Sequence, residues 1–266
     1  MSDVISRELR TQARAALLIV EPGEKCAAVH ALHALLGDVE IDPQMTLAPV
    51  AEPGRPERPE LVPPAQVPRR SPTTPAGRAA LIHAIAHIEF NAINLALDAV
   101  ARFAGMPVAF YVDWLRVADE EATHYSMLVA LLDAQGHSYG DFPAHDGLWE
   151  AACKSVDDPL ARMALVPRVL EARGLDVNPG IQRRLAAVGD AAAVAALEVI
   201  LAEEIGHVAI GNRWFKHLCA ERGLEPAPAF ADLLRRYAAT PPHPPFNTAA
   251  RLAAGFSAEE LAAWGG

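Results

Sequence analysis

Two stretches decide how this chain is read: VADEEATHYSML, residues 117–128, and AEEIGHVAIGNRW, residues 202–214. Each contains Glu-x-x-His, as Glu121 with His124 and as Glu204 with His207. One such motif carries little, because 19 glutamates and 10 histidines in 266 residues give about 0.7 by chance. Two, each inside a long run of helical periodicity, carry more. Positions three apart lie on one helical face a turn apart, so carboxylate oxygen and imidazole nitrogen can reach adjacent metal ions. The faces read Trp114, Val117, Glu121, His124, Leu128, Leu131 and Leu197, Ile200, Glu204, His207, Gly211, Trp214, Leu218. They are core seams, apolar except at the Glu and the His. A buried, uncompensated carboxylate costs several kcal/mol, so these seams call for a cation.

Working outward, each motif follows another helical acid at a matched distance: Glu89 precedes Glu121 by 32 residues, and Glu171 precedes Glu204 by 33. Glu89 lies on the seam Ile82, Ala86, Glu89, Ile93, Ala96, Val100. Periodicity and end signals predict helix A over 76–104, B over 107–135, C over 159–173, and D from an Asp190 N-cap to Arg222. Asn178-Pro179 reads as N-cap and first position of a continuation of C to Val188, so C is bent rather than ended. About the turn at Pro107 the first pair of acids sits 18 residues before and 14 after; about Asp190 the second pair sits 19 before and 14 after. Both hairpins bring their acids to similar heights. The expected fold is all-α: an antiparallel four-helix bundle with one long connection, 136–158. One Glu from each of two helices plus a Glu-x-x-His from each of the other two is the di-iron carboxylate pattern, and its charge of -4 balances two divalent ions.

The sequence resembles the ferritin-like superfamily of di-iron carboxylate proteins, with Glu89, Glu121, His124, Glu171, Glu204 and His207 at the six ligand positions. A closer likeness, to a bacterial family of ferritin-like domain proteins of unknown function, is carried by AHIEFNAINLALDAV, DWLRVADEEATHYSML, YGDFPAHDGLWE, VPRVLEARGLDV and EEIGHVAIGNRWF. The resemblance implies a ferritin-like bundle holding two Fe ions, with Mn/Fe or other divalent metals compatible. It implies an O2- or peroxide-activating oxidoreductase, such as a hydroxylase or oxidase, with an electron donor and a substrate still to be named. Ferroxidase or iron-binding protein, and a bundle merely stabilised by metal, are the alternatives. An acid precedes each motif, and by likeness to oxygenase members Glu120 would orient His207 and Glu203 would orient His124 as second-shell groups. Tyr125 follows a ligand, as a tyrosine lies near the metals in radical-generating relatives; packing is its simpler role.

The flanks divide the chain into 1–75, two short helices and a proline-rich strap; 76–222, the bundle; and 223–266, an extension with short helices. The first helix is expected over Ser6 to Val20 and the second from Pro22 to Gly37. Ten prolines in the 33 residues 43–75 preclude helix and central strand there, so the strap should wrap extended on the body. Its Arg55, Arg58, Arg69 and Arg70, offset by Glu52, Glu57 and Glu60, read as a solvated arm. His83 and His87 with Asn94 and Asp98 form a polar stripe, a surface or strap contact rather than a metal site, because His87 points about 200° away from Glu89. Loop 139–149 could cover an access channel, with Asp141 or His145 touching substrate, or be a structured connection. Trp114 and Trp214 read as core, and Cys153 and Cys219 as buried small hydrophobes. Three scattered cysteines, no export signal and no membrane span fit a cytoplasmic protein, and a homodimer is compatible. A net charge of -10 weighs against a nucleic-acid partner.

Overall fold

A computed structural model describes residues 7–68 and 71–265. Ser6, where the first helix was expected to begin, and Arg69 and Arg70 of the strap lie outside the described residues. The protein is all-α: helix makes up 66% of it, and no strand occurs among the described residues. Two compact units divide the chain, one up to Asp146 and one from Gly147.

The first unit is built on two long antiparallel helices, α3 (Pro75–Arg102) and α4 (Val108–Ala134), flanked by α1 (Leu9–Leu17) and α2 (Pro22–Ala34). Thr74 caps α3 by accepting from the Gly77 N–H, and Pro75 takes the first position, where no N–H is missed. An 18-residue window of α3 is apolar enough to cross a membrane but is 78% buried inside the protein, as in a core helix. Glu8 and Glu21, carboxylates in extended backbone, cap α1 and α2.

The strap runs extended apart from one 3-10 turn, Pro64–Gln66. A segment this rich in proline has carbonyl acceptors but few N–H donors, and neighbouring cations supply what it lacks. Arg10, fully buried, donates to the carbonyls of Asp42, Pro43 and Met45 and also to Val100 and Ala101 at the end of α3. Arg14 donates to Ala48 (2.8 Å) and Arg102 to Val50 (2.6 Å). Lys25 donates to Gly54 (2.7 Å), Leu17 (3.1 Å) and the Asn94 side chain, and burial pushes its ammonium down to about 7. Gly54 is required here, because a Cβ would lie 2.3 Å from the Leu18 and Ile19 carbonyl oxygens.

In the second unit α5 (Gly147–Cys153), which the sequence reading did not foresee, is followed by one unbroken helical path. It runs as α6 (Pro159–Leu165), a π-helical turn (Val166–Glu171) and α7 (Ala172–Ala186), antiparallel to α8 (Ala191–Glu221). Asp190 caps α8 through the Ala193 N–H, as expected. Asn178 and Pro179 are a correction: they lie inside α7 and start nothing. A proline at 179 strands the carbonyl four residues back, that of Leu175, and Asn247 Nδ2 donates to it at 3.2 Å. The helix therefore continues where an isolated peptide would break.

The C-terminal segment supplies that repair. It comprises α9 (Pro226–Arg236), α10 (Thr248–Ala253) and α11 (Ala258–Ala263), the last opened by a Ser257/Glu260 capping box. Arg251 forms a buried two-point pair with Asp176 (2.9 and 2.7 Å) and donates to the Ala172 carbonyl. Arg168 lies against Phe215, Phe230 and Phe256 and bonds to Asn212 and Glu260. Cys219 is buried as expected, but Cys153 is exposed at the end of α5. Residue type alone does not fix which face of so short a helix a side chain occupies.

Candidate metal centre

In the first unit, the ring contact of Phe103 with Phe110 fixes the α3/α4 register near their turn. Glu89 lies 14 residues before Phe103 and His124 lies 14 after Phe110, so the two face each other. His124 Nδ1 is 3.5 Å from Glu89 Oε2 and 3.2 Å from Glu121 Oε2. All three side chains are buried, at 3%, 0% and 0% exposure for Glu89, Glu121 and His124. Each offers a donor atom within 4.8 Å of the others, a buried Glu/His group that could hold a metal ion. Burial alone would push the His124 imidazole down, but the hydrogen bonds and charges of Glu121 and Glu89 override it and raise it to about 11. Without a metal, a proton on His124 offsets only one of two buried carboxylates.

In the second unit the two residues of the motif on α8 also lie close together. His207 is fully buried, and its Nδ1 is 3.7 Å from Glu204 Oε2. Two contacts bracket the height of Glu171. Pro167 packs on Gly211, where an added Cβ would come within 2.2 Å of the proline Cβ. Asn178 Nδ2 donates to the Leu197 carbonyl at 3.2 Å. Four residues beyond Pro167 comes Glu171, and four before Gly211 comes His207; seven before Asn178 comes Glu171, and seven after Leu197 comes Glu204. Glu171 is therefore level with the motif on α8. It closes the π turn, in which the Ala172 N–H reaches back five residues to the Pro167 carbonyl. Such turns are rare and frequent at functional sites.

Glu120 gives one oxygen to exposed Arg116 at 2.7 Å, on the face of α4 that reads as solvated. Glu203 is half-buried. Tyr125 packs its ring on Phe90 (5.6 Å) and Tyr139 (5.1 Å). Trp114 and Trp214 are buried.

His83 and His87 are not on the surface: both are buried, against the loop that follows α4. His87 Nδ1 is 2.8 Å from the Tyr139 hydroxyl, and its Nε2 accepts from Asn91 Nδ2 at 3.0 Å. His83 Nε2 accepts from the Gly140 N–H at 2.9 Å. Burial pushes both imidazoles down to about 4. Asn94 holds Lys25, and Asp98 takes Arg102 at 2.9 Å on both oxygens. The loop above them is structured: Val62 N–H donates to Ala144 O (2.8 Å) and Ala144 N–H to Glu60 O (3.0 Å). Asp141, in that loop, is exposed.

Fold and site define an all-α protein with a buried Glu/His group able to hold a metal ion. The chain belongs to the family described as "Protein of unknown function (DUF455)", which matches residues 19–262. A protein of Haemophilus influenzae, described as uncharacterized, is 48% identical over 267 residues, covering 94% of this chain and 91% of its own length. No solved structure matches.

Proposed function

We propose that this protein is a ferritin-like, dinuclear-metal oxidoreductase, in which Glu89, Glu121, His124, Glu171, Glu204 and His207 together hold two divalent ions, iron or a Mn/Fe pair. The supporting observation is the repeat within each unit: a glutamate on one helix stands level with Glu-x-x-His on its antiparallel partner. The donor chemistry fits. Carboxylates with neutral imidazoles suit iron and manganese, and four carboxylates balance two divalent charges. When bound, such ions supply the electrons and the open coordination for reducing O2 or peroxide.

The chain's own share is to fix the donors and keep water away. Trp114, Val117 and Leu128 wall the first motif, and Leu197, Ile200 and Trp214 wall the second, all buried. His124 must be deprotonated to ligate, so metal uptake by this half releases a proton held up to about pH 11. The substrate that accepts oxygen or loses hydrogen, and the electron donor, are the parts left for assay.

The test is metal content with Mössbauer or EPR spectra of protein purified without air, alongside oxygen uptake with candidate reductants. Two coupled metals per chain are expected, lost to one or none in His124→Ala and His207→Ala and kept in His83→Ala. A wild-type protein with no metal, or one that keeps both metals after either ligand is removed, sinks the assignment. Metal without oxygen consumption under any reductant would sink the oxidoreductase reading alone.

A further inference from the structure

On the other side of α4 a second set of metal-binding side chains converges. His30 and His33 lie one turn apart on α2, flanked by buried Val29 and Leu32. Both reach Asp119 of α4: His30 Nδ1 is 2.6 Å from Oδ1, and His33 Nδ1 is 3.0 Å from Oδ2. Asp119 is two residues from Glu121, about 200° around the helix, so its carboxylate meets α2 while Glu121 is on the side facing α3. The three side chains are 42%, 33% and 22% exposed for His30, His33 and Asp119. The nearest cation on the same helix, Arg116, is engaged by Glu120.

We propose that His30, His33 and Asp119 form a surface site for one divalent transition-metal ion of the zinc class, joining α2 to α4, with water completing the coordination. Two imidazoles and a carboxylate suit zinc, nickel, copper or ferrous iron and do not suit calcium or magnesium, which take oxygen donors. Donors about 2.0–2.2 Å from a tetrahedral ion stand about 3.3 Å from each other. The nitrogen-to-oxygen separations of 2.6 and 3.0 Å need to widen by less than about 1 Å, and the two imidazoles, which meet different oxygens of Asp119, must also swing toward a single ion, a rotation that their partial exposure allows. Exposure gives the ion an entry path and room for its waters. Both histidines come from one helix and the acid from another, so the backbone holds the donors near one another before metal arrives. Nothing here rests on the dinuclear reading, because the three residues are separate from the six assigned to it.

The experiment uses full-length protein with its tightly bound metal in place, dialysed against Zn2+, with bound zinc measured by elemental analysis and affinity by competition with a chromophoric chelator. Wild type should take up one additional Zn2+ per chain and melt higher with it. His30→Ala/His33→Ala should lose that equivalent and the melting shift, and His33→Ala alone should weaken binding at least about tenfold. Asp119→Asn guards against mere loss of the helix contact: its amide oxygen still accepts an imidazole N–H, yet it should lose the zinc. Wild type taking up no extra zinc at micromolar concentrations overturns the proposal, as does a folded double variant or Asp119→Asn binding as well as wild type. A Glu89→Ala variant should keep this zinc whatever becomes of the buried centre, which separates the two readings.

Discussion

Acid should open the loop over α3, and His83 and His87 set by how much. Both are buried and pushed down to about 4, from an ordinary value near 6.5. The folded state therefore binds fewer protons than the unfolded chain between those values. Stability is fully present above about pH 6.5, falls as pH drops toward 4, and stays lost below it. One group with these two values costs about 2 kcal/mol on going from pH 7 to pH 5, and the pair at most about 4. His83 Nε2 accepts from the Gly140 N–H, so protonating the ring removes that acceptor and releases the loop directly. His87→Gln and His83→Gln keep polar contacts but do not titrate. Hydrogen exchange at Gly140 and neighbouring amides, corrected for intrinsic rates, should show wild-type protection collapsing between pH 7 and pH 5 and the double variant changing by about 1 kcal/mol or less. Acid effects on the metal ligands are common to both proteins and cancel in the comparison. Parallel pH profiles for wild type and double variant would refute the reasoning.

Other perturbations test other parts. Stripping the metals should lower the melting temperature by about 5–10 °C, the scale of losing a ligand present at about a hundred times its dissociation constant; identical melting of apo and holo protein would count against a buried centre. Glu171→Ala should lose one metal while Glu171→Asp keeps weakened binding, and Glu171→Ala with two metals and full oxygen consumption would remove it from the ligand set. Arg251→Met leaves Asp176 buried with only the Asn247 N–H (2.9 Å) and a more distant Arg173 (3.5 Å), so denaturant unfolding should show a loss of about 3 kcal/mol. Gly211→Ala must push Pro167 aside, costing about 1–3 kcal/mol and weakening metal binding through Glu171 more than Ala substitution does at Gly206, where a Cβ meets nothing within 4 Å.

The long helices were legible because α3, α4 and α8 run for 27 residues or more, and the cap at Asp190 uses side-chain chemistry that reads locally. The height of Glu89 was legible from its spacing to Glu121, and His124 meets it across the hairpin. Pro179 was misread because local rules see only the missing N–H, whereas its repair comes from Asn247, 72 residues from the carbonyl it rescues. The π turn was invisible for a similar reason: one extra residue per turn leaves no compositional mark, and Pro167 against Gly211 is a contact between distant positions. His83 and His87 were placed on the right stripe, with surface and strap contact both left open, since the loop that buries them carries no periodicity of its own. His30 and His33 did have a readable i, i+3 signal, but their partner Asp119 lay beside a stronger motif.

The binding of the strap through its carbonyl oxygens has a consequence for how this chain can change. Arg10, Arg14, Lys25 and Arg102 grip main-chain atoms that every residue type possesses, so most strap side chains are not part of the fastening. Substitutions along the strap should therefore accumulate freely wherever backbone shape is kept, with Gly54, buried Val50 and Arg55, which pairs with Asp146 at 2.6 Å, among the exceptions. Loss of Arg10 or Lys25, which lie far away in the chain, should detach a segment whose own sequence is intact. A library randomised over the strap alone would then return mostly folded proteins, and one randomised at those cations mostly unfastened ones.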